Sequence, residues 1–188
     1  MEPILFIAKS QTMANLAAQV TGKMKVDIAI TISNRSEAKM AAMHYPDTSV
    51  YISRGGTAKA LRQLTDKAVV ELRLTLGDLL EPIHRIAARG IDKIAVVAST
   101  DLIGESTYDF EFANVKIYIR PTSTEGFEQA IEQLSYLGVQ GVIGGRAVSQ
   151  IAESYGMIVE GLEVGEVSIK QAITEAIQIV KIQETERN

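Results

Sequence analysis

The segment that begins at Ser53 and reads Ser-Arg-Gly-Gly-Thr-Ala contains the residue types of an anion-binding turn. It follows an apolar run and precedes an amphipathic one, so it is expected to connect a strand to a helix. Gly55 and Gly56 would let a ligand approach the backbone, and the free N–H groups of a helix N-terminus attract negative charge. Ser53 and Thr57 add hydroxyl donors, and Arg54 can hold a carboxylate or phosphate through two parallel hydrogen bonds. These five residues are predicted to bind an anion.

An ordinary strand-to-helix turn explains a lone Gly-Gly pair just as simply, with Thr57 as the N-cap of the helix. A second Gly-Gly pair followed by arginine, Gly144-Gly145-Arg146, favours the anion site and adds these three residues to it. Neither segment is a nucleotide fingerprint, because the sequence has no Gly-x-Gly-x-x-Gly and no Walker A pattern.

Short polar residues also follow the first apolar run of each half of the sequence. Ser10 stands in this position in one half, and Ser99 and Thr100 in the other. Each of them either caps the following helix or contacts the same ligand. The stretch from Arg120 to Ser123 ends another apolar run and is a weaker candidate of the same kind.

The histidines and the strand-end glutamates are poorly placed for metal binding or catalysis. His44, expected in a surface loop, and His84, expected on a helix, have no partner at metal-ligand spacing. Glu71 and Glu160 follow apolar runs, where a carboxylate is usually solvated or salt-bridged. With no cysteine in the chain, thiolate metal sites and disulfides are excluded. We therefore expect no metal and no cofactor.

The composition describes a globular protein with an acidic balance. Of 188 residues, 46% are hydrophobic and 22% charged, and 19 basic against 23 acidic residues give a net charge of −4. The sequence has no cluster of Lys and Arg of the kind that contacts nucleic acid, so no direct contact with nucleic acid is expected. The N-terminal segment lacks a basic region, and no apolar run reaches the roughly 18 residues of a membrane span, so a cytoplasmic location is expected.

Short apolar runs alternate with amphipathic segments, which predicts an α/β fold with parallel sheets. Strands are expected at 4–8, 27–32, 49–53, 68–74, 93–98, 114–119, 139–143 and 157–164. Helices are expected at 12–21, 35–43, 57–64, 79–89, 124–137, 148–155 and 168–183. For the helix at 79–89, Asp78 is the expected N-cap, Pro82 falls in the first turn, and Gly90 ends the helix.

The pattern of elements restarts halfway along the chain. The shift that places Gly55-Gly56 on Gly144-Gly145 also places Ala58 on Ala147, and Val70-Glu71 on Val159-Glu160. We therefore expect two duplicated Rossmann-like lobes, residues 1–76 with 168–188 and residues 77–167, joined by two chain crossings that form a hinge. Such lobes bind ligands at the carboxyl ends of their strands, here in a cleft between the lobes.

The residues from Val50 to Ala58, followed by Val69-Val70-Glu71, resemble the N-terminal receptor domain of the propionate catabolism activator family. Further matches are Lys93–Val97, Val142–Gly145 and Gly165–Ile169, so the resemblance covers nearly the whole chain. The family comprises sigma-54-dependent transcriptional regulators of the NtrC type, with signalling like that of two-component systems. The resemblance implies two chelatase-like α/β/α lobes and an effector such as 2-methylcitrate, a tricarboxylate, bound between them.

The same resemblance implies that effector binding controls a downstream ATPase and a DNA-binding module. The sequence contains no Walker motif, no ATPase module and no helix-turn-helix, so the chain is either an excised receptor domain or a free-standing relative. The segment from Ser99 to Tyr108 departs from the family pattern, which leaves the effector's identity open. A second copy of the chain, in a homodimer, is a further candidate partner.

The leading hypothesis is a sensor domain without enzymatic activity that binds a small anionic carboxylate metabolite. The alternative is a small two-lobed enzyme of the isomerase or racemase type that acts on a carboxylate substrate. Such an enzyme would need Glu, Lys or Tyr as its acid and base, since the chain has no cysteine. A purely structural oligomerisation module is the third possibility.

Overall fold

The computed structural model describes residues 1–187 and consists of two compact α/β units. Unit 1 contains Met1–Arg73 and the chain from Val164 onward, and unit 2 contains Leu74–Glu163. The chain therefore enters unit 2 once and returns from it once. The α/β class predicted from the sequence is confirmed, while the expected lobe limits, 1–76 with 168–188 and 77–167, stay a prediction.

Unit 1 is built on a parallel four-stranded sheet with the order β2-β1-β3-β4. Its strands are β1 (Ile4–Ala8), β2 (Ala29–Ile32), β3 (Val50–Ser53) and β4 (Ala68–Glu71). Its helices are α1 (Gln11–Met24), α2 (Ala38–His44), α3 (Gly55–Leu64) and α8 (Glu166–Arg187), with a 3-10 turn at Arg35–Glu37. Every residue of β1 and β3 is buried, as expected for central strands covered by helices on both faces.

The long helix α8 belongs to unit 1, where it packs against α1, β3 and β4. Ile169, Ala172, Ile173, Ala176 and Val180 are buried at helical spacing, so one stripe of the helix faces the sheet. At its first turn, Glu166 Oε1 lies 2.7 Å from Lys23 Nζ of α1.

Unit 2 contains a five-stranded sheet with the order β6-β7-β5-β8-β9, in which only the β6–β7 pair is antiparallel. Its strands are β5 (Lys93–Ser99), β6 (Tyr108–Phe112), β7 (Val115–Thr122), β8 (Gly141–Gly144) and β9 (Ile158–Gly161). Its helices are α4 (Leu76–Ala87), α5 (Thr100–Ile103), α6 (Phe127–Tyr136) and α7 (Arg146–Ser154), with a 3-10 turn at Thr124–Gly126. Two apolar clusters, one around Ile94 and Val96 and one around Ala95 and Val97, include the two side-chain sets of β5.

Helix α4 begins earlier than the sequence suggested. Its N-cap is Thr75, whose backbone N–H donates to Asp78 Oδ2 at 2.8 Å, so Asp78 is the third helical residue rather than the N-cap. Pro82 consequently lies in the second turn rather than the first, where its ring removes a helical N–H. A reciprocal cap thus starts the helix about one turn before the apolar periodicity becomes visible.

Helix α5 and strand β6 were not predicted from the sequence. Strand β6 pairs with β7 through a two-residue turn in which Ala113 and Asn114 have φ values of 51° and 65°. This hairpin adds one antiparallel edge strand to an otherwise parallel sheet, a common addition to folds of this class.

Candidate functional site

Helix α3 of unit 1 begins without a side-chain cap. Its N-cap is Arg54, a residue type that does not normally cap helices, and Gly55, Gly56 and Thr57 are the first three helical residues. Thr57 is therefore not the N-cap that the sequence suggested. Gly55 has a φ of +56°, which favours glycine at this position. The first N–H groups of the helix have no acceptor within the helix itself and form a site suited to an anion.

Arg54 is partly buried beside this helix end, and in residues 1–187 its side chain forms no salt bridge and no hydrogen bond. Burial lowers the pKa of its guanidinium below the ordinary value for arginine, because a charge loses hydration there. A desolvated cation without a carboxylate partner is costly to keep, and an anionic ligand would offset that cost.

The carboxylate at the neighbouring strand end is already occupied. Glu71, the last residue of β4, is paired with Ser53 of β3 in the sheet register. Its Oε2 atom lies 3.4 Å from Arg62 Nη1 and 3.2 Å from Arg73 Nη2. Glu71 is thus salt-bridged through those two arginines rather than free to take part in ligand binding. Glu160 of unit 2 is likewise bound, by Arg85.

Lys9 follows β1 at the same carboxyl edge of the sheet, although it is not among the site residues predicted from the sequence. Its pKa is lowered from 10.5, first by burial and second by the positive charge of Arg54. The positive charges of Lys9 and Arg54 therefore repel each other at this edge of the sheet. Lys9 was missed because only folding places the end of β1 beside the end of β3.

Thr57 carries a buried hydroxyl without a partner. The residue is 2% exposed, and among the described residues its Oγ1 is the buried side-chain atom that lacks a hydrogen bond. Buried polar groups are nearly always paired, so an unpaired one at a proposed binding site is informative. Ser53 is also buried, and its carbonyl accepts a 2.7 Å hydrogen bond from the Leu72 N–H. Ser10 caps α1 by accepting from Met13 N at 3.2 Å, so the capping interpretation holds there.

In unit 2, the predicted site residues Gly144, Gly145 and Arg146 lie where β8 leads into α7. Gly144 is the last strand residue, Gly145 is the N-cap and Arg146 is the first helical residue. The two Gly-Gly pairs are therefore not equivalent, because Gly145 occupies the N-cap position that Arg54 holds in unit 1. Arg146 is exposed and forms no salt bridge in residues 1–187. The expectation that it contacts the same ligand stays a prediction.

Of the other site residues predicted in unit 2, Arg120 has a structural role, whereas ligand contact by Ser99 and Thr100 stays a prediction. Ser99 is the N-cap of the short helix α5 but makes no capping hydrogen bond, and Thr100 is exposed on the first turn. Arg120 donates to Asp109 Oδ1 at 2.7 Å and lies over the Tyr118 ring, so its charge is used within the sheet.

The histidines lie apart from this arrangement. His44 ends α2 rather than lying in a loop, and it borders a cavity of about 330 Å³ at the opposite end of the unit 1 sheet. His84 is on α4, as expected. In the described part of the chain, no group of three His, Cys, Asp or Glu side chains is arranged to hold a metal ion. No helix within residues 1–187 is long and apolar enough to cross a membrane.

The family described as propionate catabolism activator matches residues 6–186 of the sequence. No match was found among curated proteins. A solved NtrC family transcriptional regulator from Clostridium acetobutylicum is 19% identical, covers 96% of this chain and 97% of its own, and has a TM-score of 0.64. At that identity the likeness shows a shared fold.

Two further solved structures are more distant. A conserved domain protein from Vibrio cholerae is 11% identical over 96% of this chain and 84% of its own, with a TM-score of 0.48. An aspartate racemase homologue from Pyrococcus horikoshii is 11% identical over 94% of this chain and 99% of its own, with a TM-score of 0.37. Similarity at these scores supports no functional argument.

Proposed function

The chain belongs to the N-terminal domain family of the propionate catabolism activators and is thus a sensor domain of a transcriptional regulator, and we propose that it binds a small anionic metabolite at the N-terminus of α3. The observation that carries the proposal is the state of Arg54: partly desolvated, without a carboxylate partner in residues 1–187, and adjacent to an uncapped helix end.

Three kinds of donor meet at this helix end. The backbone N–H groups of the first turn point toward a bound anion, and the helix dipole adds a partial positive charge. Arg54 supplies a guanidinium suited to a planar carboxylate, and Lys9 a second positive charge. Such a set favours a carboxylate, and a 2-methylcitrate-like acid is the candidate that the family suggests.

The proposed role is regulatory rather than enzymatic. A ligand shifts a conformational equilibrium only by as much as it binds one state better than the other. Charge-assisted contacts at the end of β3 would supply this difference in binding free energy between the two states. Helix α8 packs on β3 and β4, so it is in direct contact with the strand at whose end the ligand would bind. In a full regulator the responding parts would be an ATPase and a DNA-binding module, in keeping with a cytoplasmic, sigma-54-dependent system.

A thermal-shift titration with 2-methylcitrate, citrate, succinate and acetate tests the proposal. At a ligand concentration about 100 times Kd, binding stabilises the native state by about 2.7 kcal/mol, which corresponds to about 5 °C or more for a chain of this size. We expect Arg54→Gln to abolish the shift and Lys59→Gln, which removes an exposed charge later in α3, to retain it. A folded protein whose melting temperature no carboxylate raises would overturn the proposal.

A further inference from the structure

The side chain of Arg35 lies over Gly56, the second residue of α3. A Cβ atom built on Gly56 would stand 3.0 Å from Arg35 Cδ and 3.7 Å from Arg35 Nε. Any larger residue at position 56 would therefore press against the aliphatic part of the Arg35 side chain. The guanidinium nitrogen Nε of Arg35 lies close to the uncapped N-terminus of α3.

The backbone gives no reason for glycine at position 56. Unlike Gly55, Gly56 does not adopt a positive φ, so an alanine would meet no conformational strain there. Glycine inside a helix costs up to about 1 kcal/mol relative to alanine. What glycine provides at this position is clearance for the Arg35 side chain.

Hydrogen bonds around its own 3-10 turn also hold the backbone of Arg35 in place. It opens the 3-10 turn whose N-cap, Asn34, exchanges hydrogen bonds with Glu37. The Glu37 N–H donates to Asn34 Oδ1 at 3.1 Å, and the Asn34 N–H donates to Glu37 Oε1 at 3.2 Å. Glu37 thus directs a carboxylate oxygen to the turn, and Arg35 forms no salt bridge in residues 1–187. An exposed guanidinium is left beside the α3 N-terminus, without a partner of opposite charge.

We propose that Arg35 is a further ligand-contacting residue of this site, which binds a second anionic group of the effector while the first occupies the α3 N-terminus beside Arg54. This inference rests on the proposed function and specifies its ligand class. The side chain of Arg35, which follows β2, lies over Gly56, whereas Arg54 follows β3 and directly precedes Gly55, so the two guanidiniums come from different strand-to-helix connections and one compact anion would engage one of them. A ligand whose carbon chain carries two or three separated carboxylates engages both guanidiniums.

A titration followed by the amide NMR signals of Gly55 and Gly56 tests this assignment with two probes, tricarballylate as a tricarboxylate and acetate as a monocarboxylate. We expect Arg35→Gln to weaken tricarballylate binding about tenfold or more, the usual effect of losing a charge-assisted hydrogen bond. Acetate binding should change less than twofold. Lys59→Gln removes the same charge from an exposed position on α3 and serves as the matched control, with less than a twofold effect on either probe.

Gly56→Ala supplies a second test that leaves every charge in place. The new methyl group displaces Arg35 Cδ, so tricarballylate binding should weaken at least about threefold, while acetate binding, which needs only access to the helix N-terminus, should change less than twofold. If Arg35→Gln binds tricarballylate as the wild type does, while Arg54→Gln does not bind it, the role of Arg35 is refuted and the anion site stands. If neither probe moves the wild-type amide signals, the anion site is refuted as well.

Discussion

Val148 Cγ1 lies 2.5 Å from the position that a Cβ on Gly144 would occupy, and the carbonyl oxygen of Val97 lies 3.0 Å from it. Gly144 is therefore required for α7 to pack against the end of β8, whether or not a ligand binds nearby. Gly145, the next residue, has no atom within 4 Å of its would-be Cβ and no positive φ. The two glycines with the same predicted role thus differ, because packing requires glycine at position 144, whereas neither packing nor backbone conformation requires it at position 145.

Gly144→Ala should destabilise the protein by about 1–3 kcal/mol, the usual cost of overpacking a closely packed site. Gly145→Ala should cost less than about 1 kcal/mol, because its methyl group enters open space and the loss is confined to the N-cap preference for glycine over alanine. Chemical denaturation of both variants measures the difference. Equal stabilities would contradict the packing explanation, and a Val148→Ala background should recover only part of the loss because the Val97 carbonyl remains.

The unpaired hydroxyl of Thr57 predicts an unusual response to Thr57→Val. Because Oγ1 has no hydrogen-bond partner, exchanging it for a methyl group removes a buried polar atom without breaking a bond. The ligand-free protein should be as stable as the wild type or more stable by up to about 1 kcal/mol. Thr57→Ala is the control and should be destabilised, since it leaves a cavity. A clear loss of stability in Thr57→Val would show that the hydroxyl is paired after all.

The parallel sheets were predictable because buried strands in this class read as continuous apolar runs. The runs at 4–8 and 49–53 contain the two fully buried strands of unit 1. The hairpin of β6 and β7 was missed although its signal is present: Tyr108, Phe110 and Phe112 alternate with acidic residues. That period of two is typical of an antiparallel strand with two different faces.

The site was predictable only in part, for reasons of topology. The Arg54 turn is contiguous in sequence, and its residue types suggested an anion site directly. Lys9 and Arg35 follow different strands, so their approach to Arg54 and Gly56 depends on the strand order β2-β1-β3-β4. The two Gly-Gly pairs differ in position, because one pair opens a helix while the other begins at the last residue of a strand.

The cost of keeping Arg54 without a partner predicts that Arg54→Met stabilises the ligand-free protein. Removing a desolvated charge while retaining most of the aliphatic stem should add about 0.5–1 kcal/mol to the free energy of unfolding. Arg62→Met is the matched comparison and should destabilise, since Arg62 Nη1 pairs with the largely buried carboxylate of Glu71. Chemical denaturation at low salt measures both. A ligand-free Arg54→Met protein that is less stable than the wild type would show that Arg54 has a structural partner.

Lys9 predicts the pH dependence of anion binding. Its pKa in the ligand-free protein lies below 10.5, so in the window between the two values the unfolded chain binds more protons and stability rises with pH. An anion has the opposite effect: it favours the charged ammonium and raises the pKa of Lys9 toward 10.5. Affinity should therefore be constant near neutral pH and fall as pH rises through the lowered pKa.

Calorimetric titrations with tricarballylate over this alkaline range, in two buffers of different ionisation enthalpy, measure both the affinity and the proton uptake. Lys9→Met should bind more weakly at neutral pH and lose the decline. Arg54→Gln should raise the pKa of Lys9 in a side-chain NMR titration, because the repulsion disappears, but burial, the larger cause, should keep it below 10.5. An unchanged Lys9 pKa in Arg54→Gln would mean that the two cations do not interact, and the shared anion site at this edge of the sheet would lose its electrostatic basis.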